Sequence, residues 1–407
     1  MYLSKNTVKK SYGLYAGCLI LILSLLVRVK IHLFGGTDIT VEMMMFCVMF
    51  FLALSFVRVL TTKKLEYNQL INTAGLFWIW SCISTLISMV DVSRFIYNIA
   101  SQSFWYIFAL FFVLYFTSTR ANEVSFVIKF CAVVMIAAAC VYIYWILNGD
   151  NIHSSGAINS VYYCLPLLPI VFVLRKRTAV VVSIMLVFSA VLMSGKRAGL
   201  IAFILALLIP LLLDDNKRKN KIHNITTVFI IVGVIFLTYY LVANVVEIKI
   251  FERLKALSTD EGSGRIMIYS RVFEAYQESS LFHQIFGHGF NGVAANGITA
   301  GVEGIMSTSA HNDFLEVLYD YGIVGFILYI AMFVKMFKIA FVIKKKNNKF
   351  FKTYISALII FITMSLFSHL IIYPTYIAFL LIYILWGSII AEKGENDGNH
   401  LVLGSFI

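Results

Sequence analysis

Long apolar segments separated by short polar stretches dominate the chain. A helix that crosses the hydrocarbon core of a bilayer needs about 20 predominantly apolar residues, and twelve segments reach or approach that length. Because every backbone polar group in lipid must be satisfied internally, each segment is predicted to be an α-helix. The predicted spans are residues 12–33, 40–60, 70–90, 99–118, 124–147, 157–174, 178–194, 197–213, 223–246, 317–334, 353–373 and 375–391.

One long polar segment interrupts this series and divides the chain. Residues 1–246 are predicted to hold nine spans, and 313–394 to hold the last three, followed by a cytoplasmic tail at 395–407. The segment between them, 247–312, is predicted to be a large loop on the outer face. Apolar residues at helical spacing within it predict an amphipathic helix along the membrane surface and a second helix that begins at Arg265.

Composition agrees with an all-α polytopic membrane protein. The 407 residues are 60% hydrophobic and 13% charged, whereas soluble domains carry about 25% charged residues. Most of the 33 Lys and Arg fall in loops on one side, which places both termini in the cytoplasm. The net charge of +12 is therefore a topology signal, and no basic soluble module that would bind nucleic acid is present in the sequence.

Cysteine spacing predicts neither a disulfide framework nor a zinc site. All six cysteines fall inside predicted spans, and no CxxC or Cys/His pattern occurs. The sequence therefore offers no metal or cofactor site, and its candidate chemistry lies in charged and polar residues of the outer loops.

Two cations occupy the shortest predicted outer loop, against the general bias of positive charge toward the cytoplasm. Lys196 and Arg197 lie in the turn "SGKRAGL" at 194–200. One interpretation is that they snorkel to phosphates of the outer leaflet. The other is that they bind an anionic substrate on the outer face.

Two arginines of the long loop are further candidates for anion binding. Arg265 follows "GSG" at a predicted helix start, where free amides and the helix dipole already favour an anion. Arg271 lies six residues further on and so does not share its face. For Arg271 the alternative is a solvated salt bridge with Glu274 or Glu278.

His311 is the candidate general base. Ser309 is predicted to be the N-cap of the helix that enters the tenth span, so that His311 falls in its first turn. The positive end of the helix then disfavours the imidazolium form and keeps the ring neutral near pH 7. A hydrogen-bonded structural histidine is the alternative interpretation.

Other polar residues have weaker patterns. Asp313, Glu316 and Asp320 lie on one helix at spacings of three and four, which suits orienting residues better than a pair of carboxylates flanking a sugar. Asn159 near an outer span end is predicted either to bind sugar or to cap a helix. His288 is assigned to a turn. The intramembrane polar residues form no obvious ion path, and they are Glu42, Gln102 and His369.

Three motifs in order resemble those of the O-antigen polymerase and ligase superfamily. "HNDFLEVLYDYGIVG" at 311–325 is similar to its H-(N/S)-x-x-L…G…G signature, and "SGKRAGL" to its arginine-containing outer turn. "GSGRIMIY" followed by "IFGHGFN" is similar to the family's G-x-R…G-x-G stretch. The motifs cover about residues 190 to 330, and the similarity in topology covers the whole chain.

The resemblance implies a GT-C-type glycosyltransferase that needs no metal or other cofactor. Its donor would be an undecaprenyl-diphosphate-linked oligosaccharide, used at the periplasmic face of the bacterial inner membrane. The family's catalytic residues correspond to Arg197, Arg265 and His311. Residues expected to contact substrate are Arg271, Lys196, Asn312 and Asn159. This turn reads Gly-Lys-Arg, so Lys196 is also a candidate for the arginine's role.

Polymerase is the preferred function within the family. The enzyme would transfer the growing glycan onto a new lipid-linked repeat unit, and the resemblance also implies a partner in the inner membrane that regulates chain length. An O-antigen ligase, which transfers polymer to lipid A–core, shares the motifs. A lipid-linked oligosaccharide flippase is the third reading, but it predicts paired charges inside the bundle rather than in one outer loop.

Overall fold

The computed structural model describes residues 12–34, 39–62, 68–88, 90–116, 121–148, 164–174, 176–194, 196–213, 226, 233, 264–301, 309–346, 349–371 and 374–396. These residues are mostly helical, and none of them forms a strand. Among the described residues, seven α-helices precede the long loop: α1 Tyr12–Phe34, α2 Thr40–Thr62, α3 Gln69–Ile87, α4 Val92–Phe116, α5 Ala121–Asn148, α6 Arg177–Met193 and α7 Arg197–Leu212. Three described helices lie within the loop: α8 Arg265–Glu278, α9 Leu281–Phe286 and α10 Gly292–Ala295. Three more follow it: α11 Asp313–Lys345, α12 Phe351–Phe367 and α13 Pro374–Asn396.

The polytopic membrane character predicted from the sequence is confirmed. Five of the described helices are long and apolar enough to cross a membrane, namely α2 to α5 and α11. Shorter apolar helices lie within α1, α6, α7, α12 and α13. The ninth predicted span, 223–246, lies outside the described residues apart from single positions, and so does the predicted surface helix before residue 258. The count of twelve spans stays a prediction.

The sixth predicted span differs from the regular helix that its hydropathy indicates. The described part of 157–174 contains a 3-10 helix at Leu165–Phe172, with Pro169 inside it. Proline lacks the amide hydrogen that an α-helix needs and clashes with the preceding turn, so the segment adopts the tighter form. It is buried among α5, α6 and α12, and the Tyr383 hydroxyl donates to the Leu167 carbonyl at 3.0 Å.

The core of the bundle forms around α4, which packs against α2, α3 and α13. Its buried face is aromatic, and Phe104, Phe108 and Phe111 all contact the ring of Phe51 on α2. These side chains interlock across the helix interface instead of facing lipid. Interlocking aromatic packing of this kind fixes the helices that carry the polar loops.

The connections between helices gather at two opposite ends of the bundle. At one end Asn68 caps α3 and donates through its amide to Ser388 at 2.9 Å and Glu392 at 3.1 Å. The other end, called the loop end below, contains Ser88, Lys196, Gly287, His311 and Ile371. There the Ser88 hydroxyl donates to the Gly287 carbonyl at 3.0 Å. The three sequence motifs therefore meet at one end of the bundle.

A kink in α11 shapes the loop end. Gly322 has φ 66° and ψ −173°, which interrupts the helix and frees the carbonyls before it. These carbonyls accept hydrogen bonds from outside the helix: Tyr319 O from His288 N (3.0 Å), Asp320 O from Gly289 N (2.8 Å) and Tyr321 O from Trp80 Nε1 (2.9 Å). The kink thus fastens α3 and the stretch "GHGFNG" at 287–292, called the glycine-rich loop below, to α11.

Candidate functional site

His311 lies just before α11, not within its first turn. The N-cap is Asn312, whose side-chain oxygen accepts from Phe314 N at 2.9 Å and Leu315 N at 3.2 Å. The predicted capping role of Ser309 is therefore wrong, because Asn312 satisfies these amides. His311 adopts φ 53°, a left-handed conformation that is uncommon for a residue with a side chain. Such strain persists only where the surroundings enforce it, and it is concentrated at functional sites.

Three buried acids of α11 enforce the arrangement of the loops. Asp313 accepts from Ile371 N at 3.2 Å, and Asp320 from Gly292 N at 2.8 Å. The backbone amide of Ala310, the residue directly before His311, donates to the carboxylate of Glu316. Because each acid is almost fully buried, losing such a partner would leave a desolvated group unsatisfied. The acids act as orienting residues for three separate stretches of the loop end.

Arg265 begins α8 and lies close enough to His311 to influence its titration. Gly264, with φ 68°, precedes it as the N-cap residue. One turn later on the same face, the Tyr269 hydroxyl lies 3.3 Å from the His311 carbonyl and 3.2 Å from the Leu366 carbonyl. This hydroxyl joins α8 to both the His311 segment and the end of α12.

The outer turn between α6 and α7 supplies a second cation. The Lys196 amide donates to Ser194 Oγ at 3.1 Å, which orders the turn. The charge of Lys196, like that of Arg265, lowers the pKa of His311. Arg197 is half-buried at the first position of α7.

The ring of His311 is held in its neutral form by its surroundings. Burial is the largest cause and lowers the pKa of His311 to about 4, with further contributions from Arg265 and Lys196. The helix end was the expected cause, but burial and two neighbouring cations account for the shift. A neutral imidazole beside fixed positive charge can accept a proton and lies where an anion would be attracted.

A second histidine lies beside His311. His369, between α12 and α13, has its ring centroid 4.6 Å from that of His311. Burial, His311, Lys196 and Arg265 together lower the pKa of His369 well below its usual value. From the sequence it was read as an isolated intramembrane residue. Its position near the outer end of the predicted span 353–373, on the same side as His311, was the signal that could have placed it at this site.

Two further candidates for substrate contact have other surroundings. Arg271 donates to the Ala300 carbonyl at 2.8 Å, which ties α8 to the turns at 296–301, and Glu274 accepts from Ser270 instead. The side-chain oxygen of Asn312 caps α11. Asn159 lies outside the described residues.

His288 belongs to a structural cluster beside this site. Its ring stacks on His283 and Tyr319, each with a centroid separation of 4.3 Å, and its Nε2 lies 2.8 Å from Ser279 Oγ. Arg94 on α4 donates to the Phe290 carbonyl at 2.7 Å, a contact that sequence reasoning missed. Burial is the largest cause that lowers the pKa of His288 to about 4. This cluster fixes the glycine-rich loop.

Comparison with known families agrees with this geometry. Residues 179–330 match the family model described as O-antigen ligase. The matched segment contains Lys196, Arg197, Arg265 and His311, and it ends in α11. It is consistent with the O-antigen polymerase and ligase superfamily, so the resemblance seen in the sequence is confirmed. The match supports a glycosyl-transferring membrane enzyme of O-antigen biosynthesis, without distinguishing polymerase from ligase. No curated protein matches the chain.

Proposed function

We propose that the protein is a surface-polysaccharide polymerase that acts on O-antigen repeat units. It transfers the growing glycan from undecaprenyl diphosphate onto a new undecaprenyl-diphosphate-linked repeat unit, at the periplasmic face of the inner membrane. The observation that carries this proposal is the neutral, mostly buried imidazole of His311 beside the cations of Arg265 and Lys196. These groups lie at one end of an apolar helical bundle that suits a long isoprenoid tail.

The reaction needs a base and a binding site for an anionic leaving group. A hydroxyl of the acceptor sugar attacks the anomeric carbon of the donor, and the bond from that carbon to the diphosphate oxygen breaks with its electron pair. His311 accepts the hydroxyl proton, a step that typically contributes about 10²–10⁴-fold in rate. Arg265 and Lys196 stabilise the charge that develops on the diphosphate. Arg197 is proposed to assist from the same turn.

The low pKa of His311 in the free protein makes donor binding part of the activation. A pKa of about 4 makes a weak base at pH 7, because the best catalytic pKa lies near the working pH. A diphosphate bound at Arg265 and Lys196 compensates the two charges that lower the pKa of His311. Binding of the donor therefore raises the basicity of the imidazole when a proton has to be accepted.

A ligase that transfers polymer to lipid A–core is the second candidate. It is favoured by the description of the matching family as O-antigen ligase. Both activities use the same donor and the same leaving group, and they differ in the acceptor. The polymerase proposal includes a membrane partner that regulates chain length, whereas the ligase proposal does not need one.

A deletion in the source cell separates the candidates by the glycan that accumulates. Lipopolysaccharide with a single repeat unit supports the polymerase. Polymer left on the lipid carrier would establish the ligase instead, and precursor retained in the cytoplasm would indicate a flippase. Complementation with His311→Ala tests the proposed base, because long chains should be absent although the protein accumulates in the membrane. A full ladder of chain lengths in that variant would overturn the chemical assignment.

Orientation has an independent test. A reporter that is active only in the periplasm, fused after Ser279, should be active if the loop end faces the periplasm. The same reporter fused after Lys346, at the opposite end of α11, should be silent. Reversed activities would place the site in the cytoplasm and exclude the proposed donor side.

A further inference from the structure

The contact between His311 and His369 joins two parts of the chain that the family match does not connect. His369 lies outside residues 179–330, in the short connection between α12 and α13. Its ring is tilted by 43° to that of His311 at a centroid separation of 4.6 Å. Only 7% of His369 is exposed, so its ring packs against that of His311 largely away from solvent.

The ring of His369 has a defined orientation. Ser309 Oγ lies 3.2 Å from its Nδ1, two residues before His311. Burying a polar ring costs free energy unless its nitrogens have hydrogen-bond partners, so an aliphatic side chain would fill this space at lower cost. A hydrogen bond to one ring nitrogen restricts rotation of the ring and so fixes its plane. The contact with Ser309 therefore orients the His369 ring so that one defined face lies against His311.

Further contacts hold the two segments together. Asp313 Oδ1 accepts from Ile371 N, 58 residues further along the chain. The Tyr269 hydroxyl lies between the carbonyls of His311 and Leu366. The connection that carries His369 is consequently attached to α11 on one side and to α8 on the other. The distance between His369 and His311 is therefore set by contacts that do not involve the two rings.

We propose that His369 is a positioning residue for the transfer reaction: held by Ser309, its ring forms the wall that orients His311 and keeps water from one side of its imidazole. This inference rests on the proposed function, in which His311 is the base. It extends the site to a segment beyond the family match. The groups that face His369 are Ser309, His311, Lys196 and Arg265.

The proximity of His311 and His369 also limits how many protons the site can hold. His311, Lys196 and Arg265 all disfavour the protonated form of His369, and burial does so most strongly. When His311 takes the proton of the acceptor hydroxyl, the neutral ring of His369 adds no repulsion at that moment. A charged residue at position 369 would oppose the proton transfer.

The test separates the ring from its hydrogen bond. His369→Asn places an amide group where the ring Nδ1 was and removes the wall, His369→Phe keeps the wall and removes the nitrogen, and Ser309→Ala removes the hydroxyl alone. Each should lower kcat more than it changes KM. A misplacement of about 1 Å can cost about 10²-fold, and this is the loss expected for His369→Asn. The assay uses the full-length protein in detergent with lipid-linked repeat units.

A second measurement does not depend on activity. In NMR titration of the histidine rings, water admitted by His369→Asn should move the pKa of His311 from about 4 toward its usual value. His288→Asn is the matched control, since His288 is also held by a serine hydroxyl and stacked on another ring. That control should leave the titration of His311 unchanged.

The outcomes separate failure of this inference from failure of the proposed function. If His311→Ala retains transfer activity, the proposed base is wrong. If His311→Ala is inactive while His369→Asn keeps wild-type kcat and an unshifted His311 titration, only the role of His369 is overturned. A loss of activity in His369→Asn with an unshifted titration would also overturn it, because a general structural defect would then explain the loss.

Discussion

The backbone of Gly322 lies directly against that of Gly287, so that a Cβ on Gly322 would approach the Gly287 nitrogen to 2.8 Å. Gly322 has φ 66° and ψ −173°, and Gly287 has φ 86° and ψ −179°. This region is essentially restricted to glycine. The kink in α11 and the end of α9 therefore depend on the same pair of residues, one from the motif "HNDFLEVLYDYGIVG" and one from "IFGHGFN".

Gly322→Ala should destabilise the loop end and abolish transfer activity. Its Cβ would meet the Ile285 backbone as well as the Gly287 nitrogen, and neither can move aside cheaply. The strain of a side chain in this backbone region is about 1–3 kcal/mol, before any clash. A lower Tm in detergent, together with loss of long glycan chains, would be measured.

Gly297→Ala is the matched control for that substitution. Gly297 also has positive φ, at 69°, but no atom of the described part of the chain lies within 4 Å of a Cβ built there. It should show the backbone strain alone and retain most of the activity. Equal losses of Tm in the two variants would contradict the importance of the contact with Gly287.

The polar pattern in the sequence predicted that Lys196, Arg265 and His311 lie on the same side of the bundle. It predicted neither that His369 lies beside them nor how the glycines hold the loops. The motif "YDYGIVG" showed glycines inside an apolar run, and hydropathy continued across them, so a single tenth span was predicted at 317–334. The structure has one long helix with a kink, because the carbonyls freed at Gly322 find partners in α3 and the glycine-rich loop. Partners so distant in sequence cannot be found from local periodicity.

Arg94→Gln should loosen the glycine-rich loop and raise the pKa of His288. The arginine donates twice to the Phe290 carbonyl, at 2.7 Å from Nη2 and 3.1 Å from Nε. Its charge also helps to lower the pKa of His288, so that pKa should rise when the charge is removed. NMR titration of His288 and the Tm report the two effects.

Arg58→Gln is the control for Arg94→Gln at the opposite end of the bundle. Arg58 donates from Nε to the Leu114 carbonyl at 3.3 Å and lies over the ring of Tyr115. Its replacement should change the Tm without altering glycan transfer or the titration of His288. A loss of transfer in Arg58→Gln equal to that in Arg94→Gln would show that the loop end is not the specific target.

The arginines of α8 should differ in their effects although they lie on one helix. Arg265→Gln removes a charge beside His311 and should abolish transfer while raising the pKa of His311. Arg271→Gln removes a hydrogen bond to the Ala300 carbonyl. It should lower the free energy of unfolding by the amount typical of one such bond, about 1 kcal/mol, and lower the Tm accordingly. Comparable losses of kcat in both variants, with equal protein levels, would place Arg271 in the substrate site as well.

The difference between these arginines was visible in the sequence only in part. Helical spacing showed that Arg265 and Arg271 face different directions, which left a second anion site and a salt bridge as alternatives for Arg271. The described contact is with a backbone carbonyl, and carbonyl positions follow from loop geometry that composition does not encode. The N-cap of α11 could not be identified from the sequence either, because Ser309 and Asn312 are both good capping residues and only the fold decides between them.

The pH dependence of transfer should differ between the free protein and the donor complex. The profile of kcat/KM reports the free protein, in which the pKa of His311 is about 4. Activity should therefore stay constant as pH falls from 7 and decline only near pH 4, where the base becomes protonated. In the donor complex the diphosphate offsets the charges of Arg265 and Lys196, so the pKa of His311 rises and the acidic limb of the kcat profile should lie at higher pH.

Lys196→Gln, which removes one of those charges, should move the acidic limb of the kcat/KM profile to higher pH. The difference in pH between the limbs of kcat and kcat/KM should therefore become smaller. A wild-type kcat/KM profile that already declines near the usual histidine pKa of about 6.5, or coincident limbs for kcat and kcat/KM, would contradict a base that is activated by its own donor.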